Sequence, residues 1–141
     1  MGAKKKVIRV VLDTNILVSA LLFSGELSRI YSMWKKEVIV PLLTRETFDE
    51  FQKVLVYPKF SLTTQEIKSI LSEEVLPYFE VVDNTGDASG VCRDPDDDKF
   101  ISCALSGGAR IIVSGDRDLL NLGHYGKILI MNPAEFIKKL S

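Results

Sequence analysis

The sequence predicts an α/β protein built on a mostly parallel sheet of about five strands with helices on both faces. Three observations carry that expectation. Short runs of Val, Ile and Leu recur along the chain without polar alternation, the mark of strands buried on both faces. Segments with apolar residues at helical spacing lie between them. Caps and stop signals such as Thr44, Pro58 and Asn132-Pro133 stand at the joins. Strands alternating with helices imply βαβ units, and hence parallel pairing.

Residues 7–12 form the first strand, a near-continuous aliphatic run. The helix that follows, residues 16–23, is apolar almost all round. Leu27, Ile30, Tyr31 and Trp34 then repeat at the i, i+3, i+4, i+7 spacing of a second helix. A second strand spans 38–40. Thr44 caps a helix that runs to about Val56, with Pro58 as its stop. Thr63 or Thr64 caps the next, over 65–76. A third short strand covers 81–82, and DNTGDASGVCR, residues 83–93, has the composition of an exposed loop. Asp94-Pro95 opens a helix that reaches Ser106 and ends at Gly107-Gly108, since Pro is tolerated in a first turn. A strand at 111–113, a short helix at 117–120 capped by Asp116, and a strand at 128–130 follow, with His124 in a surface loop between the last two. Asn132-Pro133 opens the closing helix, 134–140.

A chain of 141 residues is one ordinary domain in size, so residues 1–141 are expected to form a single domain with 1–6 as a basic tail. No apolar run is long enough to span a membrane. MGAKKKV passes straight into VIRVVLD without a separate signal core, which predicts a cytoplasmic protein. Two cysteines not spaced as CxxC, and a lone His124, give neither a zinc site nor a Ser-His-Asp triad enough to build on. Cys103, among Phe100, Ile101, Ala104 and Leu105, reads as a buried thiol. A net charge of −1 argues against clamping nucleic acid by sheer positive field, so any such contact must be local.

In an open parallel sheet, ligands bind beyond the carboxyl ends of the strands, near the point where the strand order reverses. Acids at strand ends are therefore informative. Asp13 directly follows the first strand, and Asp116 follows residues 111–113 after a Ser114-Gly115 turn. Each could be no more than a helix N-cap. On the helix begun by Thr44 the apolar side is Phe48, Phe51, Val54 and Leu55; a turn of about 100° per residue points Glu46 and Asp49 away from the core and sets Glu50 at the border. In RDPDDDKFISCAL the buried side is Phe100, Ile101, Ala104 and Leu105, and one turn back lies Asp97, with Asp96 and Asp98 on the flanks. The helix dipole asks only for charge near the terminus. An acid turned inward needs a partner as well, and a metal ion is one.

Asp13, Glu50, Asp97 and Asp116 come from different elements and have no evident Lys or Arg partner in sequence, so they would repel one another in a partly desolvated cleft. Divalent cations resolve that. Oxygen ligands without His or Cys suit Mg²⁺ or Mn²⁺, ions that bridge to phosphate oxygens and let a slightly acidic protein hold a polyanion locally.

VVLDTNILVSALL, TRETFDEFQKVLVYPKF, CRDPDDDKFISCALSGGARIIVSGDRDLL and ILIMNPAEFIKKL together resemble the PIN-domain family, in particular its branch of toxin components from toxin-antitoxin systems. The resemblance runs from Val7 to Leu140 with the family's motifs in order. It matches the family's acids to Asp13, with Asn15 as polar neighbour, to Glu50, to Asp97, and to Asp116, with Ser114 as the accompanying hydroxyl; Asp94 and Asp98 are candidates to assist Asp97. It implies an α/β/α sandwich acting as a metal-dependent ribonuclease, in which Asp13, Asp97 and Asp116 hold the ions and Glu50 orients a ligand or water. It also implies an antitoxin as protein partner and a dimer as a common assembly.

Three other readings compete with it. Strand-then-LDTN and SGDRDLL echo haloacid dehalogenase-like phosphatases, but Asn15 stands where their second Asp must act as the acid. A response-regulator receiver would want a Lys on a late strand, where Ser114 and Asn132 stand instead. A non-catalytic RNA- or protein-binding module would treat the acids as caps and use Lys4-Lys5-Lys6 and Lys35-Lys36, which read more simply as a solvated tail and a helix end. Exposed aromatics for base stacking are not evident, because Tyr31, Trp34 and most Phe follow core spacing.

Overall fold

The computed structural model describes residues 7–86 and 88–140. Strand β1 (Ile8–Leu12) leads through α1 (Thr14–Leu22) and α2 (Ser28–Lys35) to β2 (Ile39–Leu43), and α3 (Arg45–Leu55) follows. A 3₁₀ turn (Pro58–Phe60), α4 (Thr64–Ser69) and a π-helical segment (Ile70–Val75) precede β3 (Glu80–Val81). After the loop come a 3₁₀ turn (Pro95–Asp97), α5 (Asp98–Gly107), β4 (Ile111–Val113), α6 (Arg117–Leu122), β5 (His124–Tyr125), β6 (Ile128–Met131) and α7 (Pro133–Leu140).

The strands form one sheet in the order β3-β2-β1-β4-β6-β5, parallel except for β5 against β6. The apolar runs divide between the two faces, as strand pleating requires. Val10 and Leu12 of β1, with Ile111 and Val113 of β4, join a core with α1, α2, α3 and α7 that includes Trp34, Phe51 and Phe136. Val11 and Ile112 point the other way, into a core with Phe100, Ile101 and Ala104 of α5 and Leu119 of α6. The result is the expected three-layer sandwich. Among the described residues no helix is long and apolar enough to cross a membrane.

Helix α1 is apolar nearly all round because α2 and α3 both pack on it in addition to the sheet-side core. Helix α3 touches α1 and also α5, and so bridges the two helical layers. Its start is a capping box: Thr44 Oγ1 accepts from Thr47 N at 3.3 Å, and Thr47 Oγ1 accepts from Thr44 N at 2.9 Å. Because Thr44 is buried, Thr44→Ala is expected to cost about 1–2 kcal/mol, read as a fall in the urea unfolding midpoint at unchanged slope; a cost under a few tenths would mean water replaces the cap. Thr63, rather than Thr64, caps α4.

Several expectations are corrected. His124 does not lie in a loop: with Tyr125 it forms a sixth, antiparallel edge strand, too short to show alternation and set by the turn at Gly126. Strand β2 continues past Val40 through Pro41 to Leu43, because the ladder to β3 begins only at Leu42, beyond the residue that lacks an N–H. The helix expected over 65–76 changes to π geometry at Ile70, where Glu74 takes hydrogen bonds from Tyr31 and Lys35 and its carbonyl accepts from Trp34 Nε1 at 2.9 Å. Lys35 is therefore engaged with Glu74 at 3.0 Å and is no free RNA contact. Lys4-Lys5-Lys6 lies outside the described residues. Leu105 is exposed, whereas Cys103 is buried, since α3 as well as the sheet covers α5. Gly107 lies so close to the sheet that a Cβ there would come 2.3 Å from Leu42 Cδ1, and Gly108 closes the helix at φ +68°.

Candidate active site

The strand order reverses between β1 and β4, where β1 leads away to β2 and β3 on one side and β4 to β6 on the other. At the carboxyl ends of these two strands opens a cleft of about 580 Å³. Asp13, Glu50, Asp97 and Asp116 all line it, as does Asn15.

Asp13 leaves β1 with its backbone N–H bonded to Val113 O at 3.0 Å, so it is held against β4. It is also the N-cap of α1: Oδ1 accepts from Ile16 N at 2.9 Å, and Oδ2 accepts from the buried Ser114 hydroxyl. The cap and the cleft position coexist in one carboxylate. Ser114 Oγ in turn accepts from Asp116 N at 2.9 Å and so ties the two strand-end acids together. Asp116 caps α6, with Oδ1 accepting from Asp118 N at 2.8 Å and Leu119 N at 3.2 Å. Burial pushes the Asp13 carboxyl above its ordinary pKa, against the hydrogen bonds from Ser114 and Ile16, and the Asp116 charge adds to the rise.

Asp97 comes from the other helical layer. It is only 8% exposed, and its Oδ2 is buried without a hydrogen-bond partner. Desolvation first, then the charges of Asp116, Asp94, Asp13 and Asp118, push its pKa up to about 7. Carboxylate oxygens of Asp97, Asp116 and Asp118 lie within 4.8 Å of one another. A lone pair left bare among converging acids is what a hard cation would complete, so the residues present fit such an ion.

Asp118 was not among the acids expected from the sequence. Its signal is present in GDRDLL, two residues after Asp116 in the first turn of α6, where any acid reads as dipole compensation. Glu46 and Asp49 turn from the core as their phase predicts, yet line the cleft wall. Asp94 and Asp98 are absent from the lining. Asp94 caps the 3₁₀ turn through Asp96 N at 3.0 Å and reaches Asp97 by its charge. Asp98 accepts from Gly90 N at 2.9 Å and Cys92 N at 2.8 Å, anchoring the loop before it.

Glu50 is not without a cation, contrary to the reading from spacing. Its Oε1 pairs with Lys99 Nζ at 2.6 Å and its Oε2 accepts from the Thr14 hydroxyl, so α3, α5 and α1 are tied together at the cleft. Lys99 is one residue past the DPDDD run, and only the packing of α3 on α5 brings it to Glu50.

The family model of the PIN domain matches residues 9–118. The chain belongs to the PIN-domain family. This PIN domain is 33% identical over 144 residues to an uncharacterized protein of Methanocaldococcus jannaschii, covering 94% of this chain and 91% of that relative. Its fold is similar to that of VapBC2 from Rickettsia felis, solved bound to a DNA fragment from their promoter, at a TM-score of 0.61 and 16% identity over 89% of this chain and 98% of that one. FitAcB from Neisseria gonorrhoeae matches at a TM-score of 0.59 and 12% identity, with the same coverage. PAE2754 from Pyrobaculum aerophilum matches at 0.55 and 19%, covering 99% of this chain and 98% of its own. At these identities the solved structures speak to the fold.

Proposed function

We propose that this PIN domain is an endoribonuclease that hydrolyses RNA phosphodiester bonds with Mg²⁺ or Mn²⁺, and that it is the toxin component of a toxin-antitoxin pair whose antitoxin is its protein partner. The observation that carries the chemistry is Asp97 Oδ2, buried and unpartnered, facing Asp116 and Asp118. The toxin role rests on the likeness of its four sequence motifs to that branch of the family.

Asp97, Asp116 and Asp118 would hold the cation, with Asp13 beside them. When bound, a hard divalent ion supplies Lewis-acid polarisation of a phosphoryl oxygen and a lowered pKa for water. The chain's own groups do the rest. Ser114 and the Ile16 amide fix the rotamer of Asp13, so its charge is aimed before substrate arrives. Lys99 and Thr14 hold Glu50 in the same way, and its carboxylate orients the incoming water rather than ligating the ion. Lys53 on the cleft wall offers an ammonium group to phosphate oxygens.

Asp13→Asn separates the roles, because Asn is as good an N-cap as Asp and should preserve the fold. Purified protein freed of any bound partner is incubated with single-stranded and structured RNAs in Mg²⁺, Mn²⁺ or EDTA. Cleavage that requires the metal and falls at least about a hundredfold in the variant is expected. If the folded wild type binds no divalent ion and Asp13→Asn changes only stability, the acids are caps and the protein is a binding module.

A further inference from the structure

A second recess, of about 260 Å³, opens beside the acid cleft and is lined by Asn15, Val18, Ser19, Phe23, Lys59 and Phe60. Asn15 lines both spaces, so they are neighbours. Phe23, at the C-terminal end of α1, is 54% exposed although it is one of the largest apolar side chains in the protein. Its ring meets that of Phe60, held on the 3₁₀ turn after α3, with centroids 6.2 Å apart and planes tilted by 55°. Lys59 places its ammonium 5.1 Å from the Phe60 centroid. Tyr57, 44% exposed, stands on the wall of the acid cleft itself.

Phe60 packs in part against the core whereas Phe23 leaves an aromatic face in water, and the surroundings state which occupant would cover that face. The lining combines a ring face with an amide and a hydroxyl, Asn15 and Ser19, which can pair with the edge of a planar heterocycle. Lys59 adds a cation at the rim, where a polyanion's phosphate would lie. A third recess, bordered by Asp13, Asp116 and Arg117, again includes Asn15 and Ser19. Lys59 and Arg117 thus each border a recess that includes Asn15 and Ser19, and only the recess of Lys59 carries rings. An apolar side chain from a protein partner would fill the ring face but leave Lys59, Asn15 and Ser19 without a counterpart. This was not foreseen from the sequence, where core spacing of the aromatics predicted no exposed stacking surface.

We propose that the Phe23–Phe60 recess binds one unpaired nucleobase adjacent to the phosphate held at the acids, which makes the substrate single-stranded at that position. The inference rests on the nuclease reading above for the location of the phosphate, but the stack itself can be observed without cleavage. A base engaged in a duplex presents its faces to its neighbours in the stack and cannot offer one to Phe23, so discrimination against paired RNA follows from the recess alone.

The test uses a short single-stranded RNA carrying 2-aminopurine at each successive position, with the full chain in Ca²⁺, and reads fluorescence quenching by ring stacking. Quenching at one position is expected, lost in Phe23→Ala and retained in Phe23→Trp. In Mg²⁺, an abasic residue at that position is expected to raise KM about tenfold, the size of one base–aromatic stack, and to raise it no further in Phe23→Ala. Quenching indifferent to Phe23, or an abasic substrate cleaved as well as the intact one in wild type, overturns the proposal even if cleavage is robust. The same holds if Phe23→Ala leaves RNA binding intact and instead weakens capture of an apolar peptide, which assigns the recess to a protein partner. Position-specific quenching with no cleavage under any metal keeps the stack and sinks the nuclease reading. Asp13→Asn, expected to lose cleavage and keep quenching, separates the two directly.

Discussion

Asp97→Asn is expected to stabilise the metal-free protein at pH 8 while abolishing its affinity for divalent cations. The carboxyl is pushed from an ordinary value of 3.8 to about 7, chiefly by burial and then by Asp116, Asp94, Asp13 and Asp118. The folded state therefore holds this proton more tightly than the unfolded chain does. Stability from that group is fully present below about pH 4 and is lost as pH rises through about 7. At pH 8 the folded protein carries an unpaired, desolvated charge, a penalty with an upper bound of about 4 kcal/mol. Asn keeps the shape and removes the charge. Thermal midpoints in EDTA should fall for wild type from pH 5 to pH 8 and change far less for the variant, so that the variant gains on wild type as pH rises. Calorimetric titration with Mn²⁺ should show the opposite preference, with binding to wild type only. A variant less stable than wild type at pH 8 would show that Asp97 has a partner other than a cation.

Phe51→Ala is expected to cost about 3–5 kcal/mol, which lowers the thermal midpoint by roughly 10 °C or more. Phe51 is fully buried in the core shared by α1, α2 and α7, so removing its ring takes away a large buried apolar surface and leaves a cavity. The effect should reach the cleft, because the preceding residue is Glu50 and the burial of Phe51 fixes the rotation of α3 that presents it to Lys99 and Thr14. Urea unfolding at 25 °C measures the cost. Phe51→Leu, which keeps most of the volume, should lose far less. A cost under about 1 kcal/mol for the alanine variant would mean α3 is not seated as described.

These two residues also mark how far the sequence can be read. Phe51 and Glu50 follow from helical phase in α3, and Asp97 follows from phase in α5, because a period of 3.6 residues assigns each side chain to a face without knowledge of the partner. Asp13 and Asp116 follow from strand runs that end in acids. Parallel strands bring their carboxyl ends to one edge, so the meeting of these two acids was legible. The Glu50–Lys99 pair was not, since it depends on α3 lying across α5, and that contact leaves no trace in either segment's periodicity. Asp118 was hidden for a different reason. An acid in a first turn has a sufficient local explanation, and only the distance to Asp97 gives it another.

Leu105 and Phe23 show the same boundary on the apolar side. Helical phase placed Leu105 inward, but the covering of α5 by α3 shifted the buried arc to Cys103 and left Leu105 exposed. The core spacing of the aromatics gave no sign of exposure at Phe23, yet this residue, just past the end of α1, is 54% exposed and pairs with Phe60 across 37 residues of sequence. By itself the sequence determined the elements, their order, the parallel sheet and the acids that reach its carboxyl edge, because hydrophobic period and cap chemistry act over a few residues and are written locally. The tertiary structure decided which charge neutralises which, which carboxylate oxygen is left bare and where aromatic rings face water. Those properties depend on distances of a few ångströms between segments far apart in the chain, and electrostatic and dispersion energies vary steeply over that range.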